Sequence, residues 1–198
     1  MWLQDSLWFG EGFDYWGQSA DWWLLETSGL PYGLVGDMIR EGLVGENGAQ
    51  NPASCPDPNR WLGMVFGMTT RGTTGLATTV DSPNALEVYP LWKYQAANKM
   101  AGATMRGWWE DEPAVAVLGL DTDTVKATAF VQPDGSGVVA VGNFGNASVA
   151  FELGGPLFAG KSVTLLADAI EAFQPATSFA PGAKITVATK RGWLLRWE

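Results

Sequence analysis

The pattern of the chain changes near residue 110, and this change constrains the fold more than any other feature of the sequence. Nine of the eleven tryptophans lie before residue 110, and after Pro113 short apolar runs alternate with turn residues. Short runs separated by Gly, Asp and Asn turns are typical of antiparallel strands. The runs are VKATAFV, VVAVGNF, VAFEL, KSVTLL, KITVA and GWLLRW. They predict an antiparallel β-sandwich over residues 110–198.

The residues before the change predict a mixture of strands and helices. Strands are expected at 6–10 and 61–68, because both are apolar runs of the kind that parallel strands show when both of their faces are covered. A long loop is expected at 42–59. Helices are expected at three further places: 22–27, 33–40, and from Pro90, a residue tolerated in the first turn of a helix, to a point before Gly102.

Together these patterns predict an α/β part followed by an all-β part. Residues 1–109 are interpreted as the C-terminal βα units of an incomplete (β/α)8 barrel, and residues 110–198 as a β-sandwich domain. Two βα units cannot close an eight-stranded barrel, which typically takes about 250 residues. We therefore expect the chain to be the C-terminal part of a larger protein whose N-terminal barrel portion is missing here.

The composition excludes several classes of site and partner. With 12 Lys and Arg against 21 Asp and Glu, the net charge is −9, so neither nucleic acid nor a membrane is an expected partner. The chain contains no histidine, which excludes imidazole bases and histidine metal ligands. Its one cysteine, Cys55, lies in a loop sequence without a base to activate it. No cofactor and no metal site are predicted; no signal peptide is recognised, and the localisation stays open.

Residues 7–23, LWFGEGFDYWGQSADWW, combine aromatic and acidic residues in a way that suits a sugar site. Aromatic faces cover the apolar face of a pyranose, and carboxylates accept hydrogen bonds from its hydroxyls. Because barrel sites lie where strands end, we expect Glu11, Asp14, Tyr15 and Trp16 to bind substrate, together with Arg71 after the second strand. Glu11 and Asp14 are also tentative catalytic residues. The alternative is that Arg71 pairs with these carboxylates and merely locks two neighbouring loops.

Six stretches carry a resemblance to a known family, in one order along nearly the whole chain. They are DSLWFGEGFDY, DWWLLETSGLPYGLVGDM, NRWLGMVFGMTTR, PLWKY, AIEAFQPATSFAPGAKITV and RGWLL. These stretches resemble the C-terminal third of a bacterial glycoside hydrolase-like group that is similar to glycoside hydrolase family 123. The resemblance implies a (β/α)8 catalytic barrel followed by a C-terminal β-sandwich.

The resemblance also implies a chemistry. Family 123 enzymes act on β-linked N-acetylgalactosamine with an adjacent Asp-Glu pair and with help from the acetamido group of the substrate. That pair is expected upstream of Met1. The dipeptide Asp111-Glu112 follows the last predicted helix at the domain junction, away from the strand ends where barrel sites lie, so it is not predicted to be catalytic.

Three functional hypotheses follow. In the first, the chain is the C-terminal portion of a carbohydrate-active glycoside hydrolase, it contributes substrate-binding residues, and its partner is a carbohydrate. In the second, it is a non-catalytic carbohydrate-binding or structural β-sandwich module. In the third, the chain is an inactive fragment, and the parent protein alone is the enzyme.

Overall fold

A computed structural model describes residues 6–9, 19–28, 35–39, 62–67, 69–71, 83–171 and 173–197. Its elements before residue 110 are β1 (Ser6–Phe9), α1 (Ala20–Ser28), β2 (Val35–Ile39), a helical turn at 62–64, β3 (Thr69–Arg71), α2 (Pro83–Ala97), a 3₁₀ turn (Met100–Gly102) and β4 (Thr104–Arg106). The elements after it are β5 (Ala116–Leu118), β6 (Val125–Val131), β7 (Gly137–Asn143), β8 (Val149–Gly154), a second 3₁₀ turn (Pro156–Phe158), β9 (Leu165–Ala167), β10 (Thr177–Phe179), β11 (Ile185–Val187) and β12 (Gly192–Trp197). The described chain is therefore mostly β-sheet with few helices.

The first half contains a small parallel sheet. Its strand order is β1-β2-β3, and both pairs are parallel, as the apolar runs indicated. The strand expected at 6–10 and the helix expected at 22–27 are confirmed as β1 and α1. The loop expected at 42–59 lies outside the described residues.

The predictions for two segments of the first half are wrong. Residues 33–40 contain the strand β2 rather than a helix. Its pairing with β1 on one side and β3 on the other favours the strand over the helix. Residues 61–68 contain a helical turn rather than a strand, and the next strand begins at Thr69. The side chains of Leu62 to Phe66 are all buried, and a short run buried all round has the same sequence pattern in a helical turn as in a strand.

The helix expected to begin at Pro90 begins at Pro83 instead and continues through Pro90. Pro83, and not Pro90, occupies the first-turn position at which proline is tolerated. A proline inside a helix costs about 3 kcal/mol. Burial of Leu91 and Tyr94 on the same helix offsets this cost, since each large buried side chain contributes about 1.5–3 kcal/mol.

The second half, together with β4 of the first half, forms two antiparallel sheets. One has six strands in the order β10-β9-β12-β7-β6-β4, and the other has three in the order β11-β8-β5. The predicted strands over this region are present. In the turn between β6 and β7, Gly135 takes φ 88°, and the Asp134 carboxylate accepts hydrogen bonds from the backbone N and the hydroxyl of Ser136, at 3.0 and 2.6 Å.

Two apolar clusters cover the two faces of the six-stranded sheet. The inter-sheet cluster combines buried residues of β6, β7, β9 and β12 with Phe151, Ile185 and Val187 of the three-stranded sheet. The junction cluster lies on the other face and joins the sheet to residues of the first half. Its buried members are Ala20, Trp23, Leu62, Met64, Val65, Phe66, Leu91, Tyr94, Phe130, Val138, Ala140, Phe144, Ile170 and Leu194. The domain division at 109/110 stays a prediction, and this cluster spans it.

Tyr94 places a hydroxyl in the junction cluster without a hydrogen-bond partner among the described residues. Burial raises the pKa of Tyr94, and the negative charge of Asp168 raises it further. We expect Tyr94→Phe to leave the free energy of unfolding unchanged or to raise it by about 1 kcal/mol, because an unsatisfied buried hydroxyl is removed. Urea unfolding at pH 7 measures the change. A loss of more than about 1 kcal/mol would show that the hydroxyl has a partner.

The same variant has a pH signature. The raised pKa means that the folded protein holds Tyr94 neutral, so its contribution to stability is complete below the unfolded pKa of 10.0 and is lost as the pH rises above it. The Tyr94→Phe variant should lose less stability than the wild-type chain between pH 9 and pH 11.

Candidate functional site

The three parallel strands end at one edge of their sheet. Phe9 pairs with Met38, Met38 pairs with Thr70, and Ile39 pairs with Arg71. The carboxyl ends of β1, β2 and β3 therefore come together in register. In a (β/α)8 barrel, active sites form at this end of the strands.

The structure describes one of the five predicted site residues. Arg71 is the last residue of β3, so it lies at the carboxyl edge. Thr69 and Thr70 precede it in the same strand. The other four, Glu11, Asp14, Tyr15 and Trp16, lie outside the described residues. The roles of all five stay predictions.

The expectation that Arg71 follows the strand next to β1 needs correction. Strand β2 (Val35–Ile39) lies between β1 and β3 in the parallel sheet. Neighbouring strands are about 4.8 Å apart, so the ends of β1 and β3 are separated by about 10 Å. An arginine spans such a distance only when it is extended toward the other strand. The carboxyl end of β2 therefore lies at the candidate site between those of β1 and β3. The sequence did not predict this.

The aromatic residues of the junction cluster meet at Phe66. Its ring stacks on Trp23 and on Trp109, each with ring centres 5.8 Å apart, and it makes edge contacts with Trp108 and Phe144 at 6.1 and 6.0 Å. Trp23, on α1, is fully buried. These rings contact one another across the junction. They stabilise the packing of the first half on the sheet and do not form an open platform for a sugar.

The loop that follows β4 is held by Glu110. Its carboxylate accepts hydrogen bonds from Arg106 Nε at 2.7 Å and from the backbone N of Gly107 at 2.8 Å. Asp111 and Glu112 come next and are exposed. They lie in a loop of the junction and not after a strand of the parallel sheet.

A buried lysine was missed by the sequence analysis. Lys126 on β6 is 6% exposed, pairs with Asp123 and lies 4.1 Å from the centre of the Trp108 ring. Strand alternation places it on the same face as Thr128 and Phe130, so the period of two was the signal that could have found it. The carboxylate and the aromatic face compensate the buried ammonium, which makes this a structural site.

One cavity along the described residues is mainly apolar. It has a volume of about 680 Å³ and lies beside the junction, where Met64, Met100, Met105 and Phe130 line it. Among the described residues, Gln95 and Lys99 are its polar lining side chains, and no carboxylate lines it. No group of three or more His, Cys, Asp or Glu that could hold a metal occurs among the described residues. Within the same ranges, no helix is long and apolar enough to cross a membrane.

Comparison with known families decides the assignment. Residues 87–198 match the model of "Glycoside hydrolase 123, C-terminal domain". This chain belongs to glycoside hydrolase family 123. Residues 2–73 match "Glycoside hydrolase 123, TIM-barrel domain", in the order that the resemblance implied. The resemblance to family 123 is therefore confirmed. The range that matches the TIM-barrel domain contains all three strands of the parallel sheet.

Solved structures give weaker matches. A beta-arabinopyranosidase is 21% identical over 41% of this chain and 14% of its own, with a TM-score of 0.29. A noncanonic maltogenic alpha-amylase, AmyB from Thermotoga neapolitana, is 12% identical over 91% of this chain and 46% of its own, with a TM-score of 0.49. An apo exo-carrageenase GH42 from Bacteroides ovatus is 10% identical over 83% of this chain and 18% of its own, with a TM-score of 0.32.

The chain spans less than half the length of each of these three structures. No curated protein sequence matches it. The family assignment therefore rests on the two family models.

Proposed function

We propose that this chain is the C-terminal portion of a glycoside hydrolase and contributes substrate-binding residues at the carboxyl ends of its barrel strands. One observation carries the proposal: the range that matches a glycosidase TIM-barrel model contains a parallel sheet whose three strands end together at Phe9, Ile39 and Arg71. The substrate of the proposed site is a carbohydrate. The chain by itself is proposed to be inactive.

Each residue of the proposed site has a chemical role. Glu11 and Asp14 accept hydrogen bonds from sugar hydroxyls and are the tentative acid/base groups. Tyr15 and Trp16 cover an apolar face of the sugar ring. Arg71 donates paired hydrogen bonds to ligand oxygens, which its planar guanidinium suits. None of residues 1–198 is assigned to the adjacent Asp-Glu pair of the family.

We also propose that residues 110–198 form a β-sandwich. Support comes from the inter-sheet cluster, in which residues of the six-stranded and three-stranded sheets are buried together. Residues of the first half cover part of one face of the six-stranded sheet. This supports a structural role for the domain, in which it packs against the first half, rather than a ligand-binding role.

The two tryptophans of this region do not favour an independent carbohydrate-binding module. Trp197 is buried, and its indole N donates to the carbonyl of Gly135 at 2.9 Å. Trp193 is half-buried, its indole N donates to the carbonyl of Thr186 at 2.8 Å, and its ring contacts Phe179 edge-on. Both rings are held within the protein, and neither forms an exposed platform.

The proposal is tested by amide substitutions in a protein that carries this chain together with a complete barrel. We expect Glu11→Gln or Asp14→Asn to lower kcat/KM by about tenfold or more, which is about 1.4 kcal/mol of transition-state stabilisation. Hydrolysis of glycosides of several N-acetylhexosamines and plain hexoses is measured by release of reducing sugar.

Asp21→Asn is the matched control, because Asp21 is an exposed carboxylate at the start of α1 in the same acidic and aromatic stretch. This variant should retain wild-type kinetics. Wild-type kinetics in both Glu11→Gln and Asp14→Asn would remove these residues from the site. Inactivity of the unmodified protein on every glycoside would refute the proposed function.

A further inference from the structure

We infer that Thr128 is a positioning residue for β3, so that the six-stranded sheet sets where Arg71 lies. The inference rests on the proposed function, in which Arg71 binds substrate. Thr128 lies in the middle of β6 and is far from Arg71 along the chain. It acts through the segment 62–67, which we call the 62–67 turn.

The hydroxyl of Thr128 contacts the backbone of this turn. Thr128 is fully buried, and its Oγ1 donates a hydrogen bond to the carbonyl oxygen of Val65 at 2.6 Å. The backbone N–H of Trp108 in turn donates to Thr128 Oγ1 at 3.4 Å. Within the turn, the amides of Phe66 and Gly67 bond to the carbonyls of Gly63 and Met64. Carbonyls at the end of a helical turn lack a partner inside it, and Thr128 supplies the partner of Val65.

The sheet surface around Thr128 is shaped to receive the turn. A Cβ atom at Gly142 of β7 would lie 3.3 Å from Val65 Cγ1 and 3.5 Å from Leu62 Cδ2. Ala140, two residues earlier on the same strand, is buried in the same cluster. Small residues on β7 therefore let the 62–67 turn approach the sheet closely. The hydroxyl of Thr128 fixes the position of the turn along the sheet.

The position of the turn carries over to β3. Gly67 ends the turn with φ 72°, where an added Cβ would approach Met105 Sδ to 2.6 Å, and β3 begins two residues later at Thr69. Strand β3 has three residues and, within the described ranges, pairs with β2 alone. So short a strand with one partner depends on the segment that precedes it. Val65, which Thr128 contacts, is four residues before the first residue of β3 and six before Arg71.

The comparison of Thr128→Ala with Thr128→Ser isolates the hydroxyl, because the two variants differ by that group alone. Amide hydrogen exchange of the 198-residue chain is measured at residues 69–71, with the amides of β8 as reference. We expect exchange at 69–71 to be about tenfold faster or more in Thr128→Ala, and within twofold of wild type in Thr128→Ser. Thr186→Ala is the control, since Thr186 is an exposed strand threonine.

A purely structural role of Thr128 predicts a different result. Loss of a core contact would raise exchange in β8 and at 69–71 alike, and Thr128→Ser would share part of the loss. Equal exchange at 69–71 in the alanine and serine variants would overturn the inference. If Thr128→Ala does not fold, Thr128→Val serves in its place, because it keeps the volume of the side chain and removes the hydroxyl.

Activity gives a second measurement in the protein with a complete barrel. Thr128→Ala should raise KM about threefold to tenfold and keep kcat within twofold, because a displaced Arg71 weakens binding of substrate and transition state alike. A fall in kcat at unchanged KM would contradict this role. Absence of hydrolysis in the unmodified protein would refute the proposed function, and the exchange experiment would still decide the role of Thr128.

Discussion

Replacement of Phe66 by alanine is expected to lower the free energy of unfolding by about 3–5 kcal/mol. The ring of Phe66 contacts four other rings, two by stacking and two edge-on, and these come from both sides of the junction. Its removal leaves a cavity that none of the four can fill without giving up contacts with the others. Urea unfolding followed by tryptophan fluorescence measures the change, because Trp23, Trp108 and Trp109 report on the same cluster.

Two variants control this measurement. Phe66→Leu keeps most of the volume and should cost about 1–1.5 kcal/mol, since swaps that nearly conserve volume are tolerated best. Leu118→Ala removes a side chain that is 48% exposed and should cost less than about 1 kcal/mol. A Phe66→Ala variant no less stable than Leu118→Ala would show that the junction cluster does not hold the two halves together.

The sequence predicted the second half better than the first. Strand β6 reads VKATAFV between clear turn signals, and its pairing with β7 through a short turn needs only local information. The parallel strands are different, because their partners are distant in sequence. Residues 35–39 carry apolar side chains at spacings that fit a helix as well as a strand, and long-range pairing to both β1 and β3 decides.

The error at 61–68 has a related cause. Burial on all sides removes the alternation of apolar and polar residues that distinguishes a strand from a helix. Gly67 ends the turn with a positive φ, but the sequence does not show which glycines adopt one. The same error affected the candidate site. The sequence predicts that Arg71 follows a strand next to β1, whereas Arg71 ends β3 and β2 lies between β3 and β1. The rule that sites lie at carboxyl ends of barrel strands still selected Arg71, because the rule depends on strand direction and not on strand order.

The domain division can be tested by two fragments. The chain that begins at residue 110 lacks β4, which pairs with β6 at three positions, and it lacks α2, which buries Leu91 and Tyr94 against the six-stranded sheet. The chain that begins at residue 83 keeps both elements. We expect residues 83–198 to be more stable than residues 110–198 by about 3 kcal/mol or more, the contribution of two large buried side chains at the low end of their range.

The 198-residue chain is the reference for this comparison. Fragment 83–198 still lacks Trp23 and Phe66, so its stability should lie between those of the whole chain and of fragment 110–198. Thermal unfolding and the near-ultraviolet circular dichroism of each fragment give the order. A Leu91→Ala substitution in fragment 83–198 is the internal control, and it should remove about 2–5 kcal/mol. Equal stability of the two fragments would place the boundary at 109/110, whereas the expected order makes α2 and β4 part of the C-terminal domain.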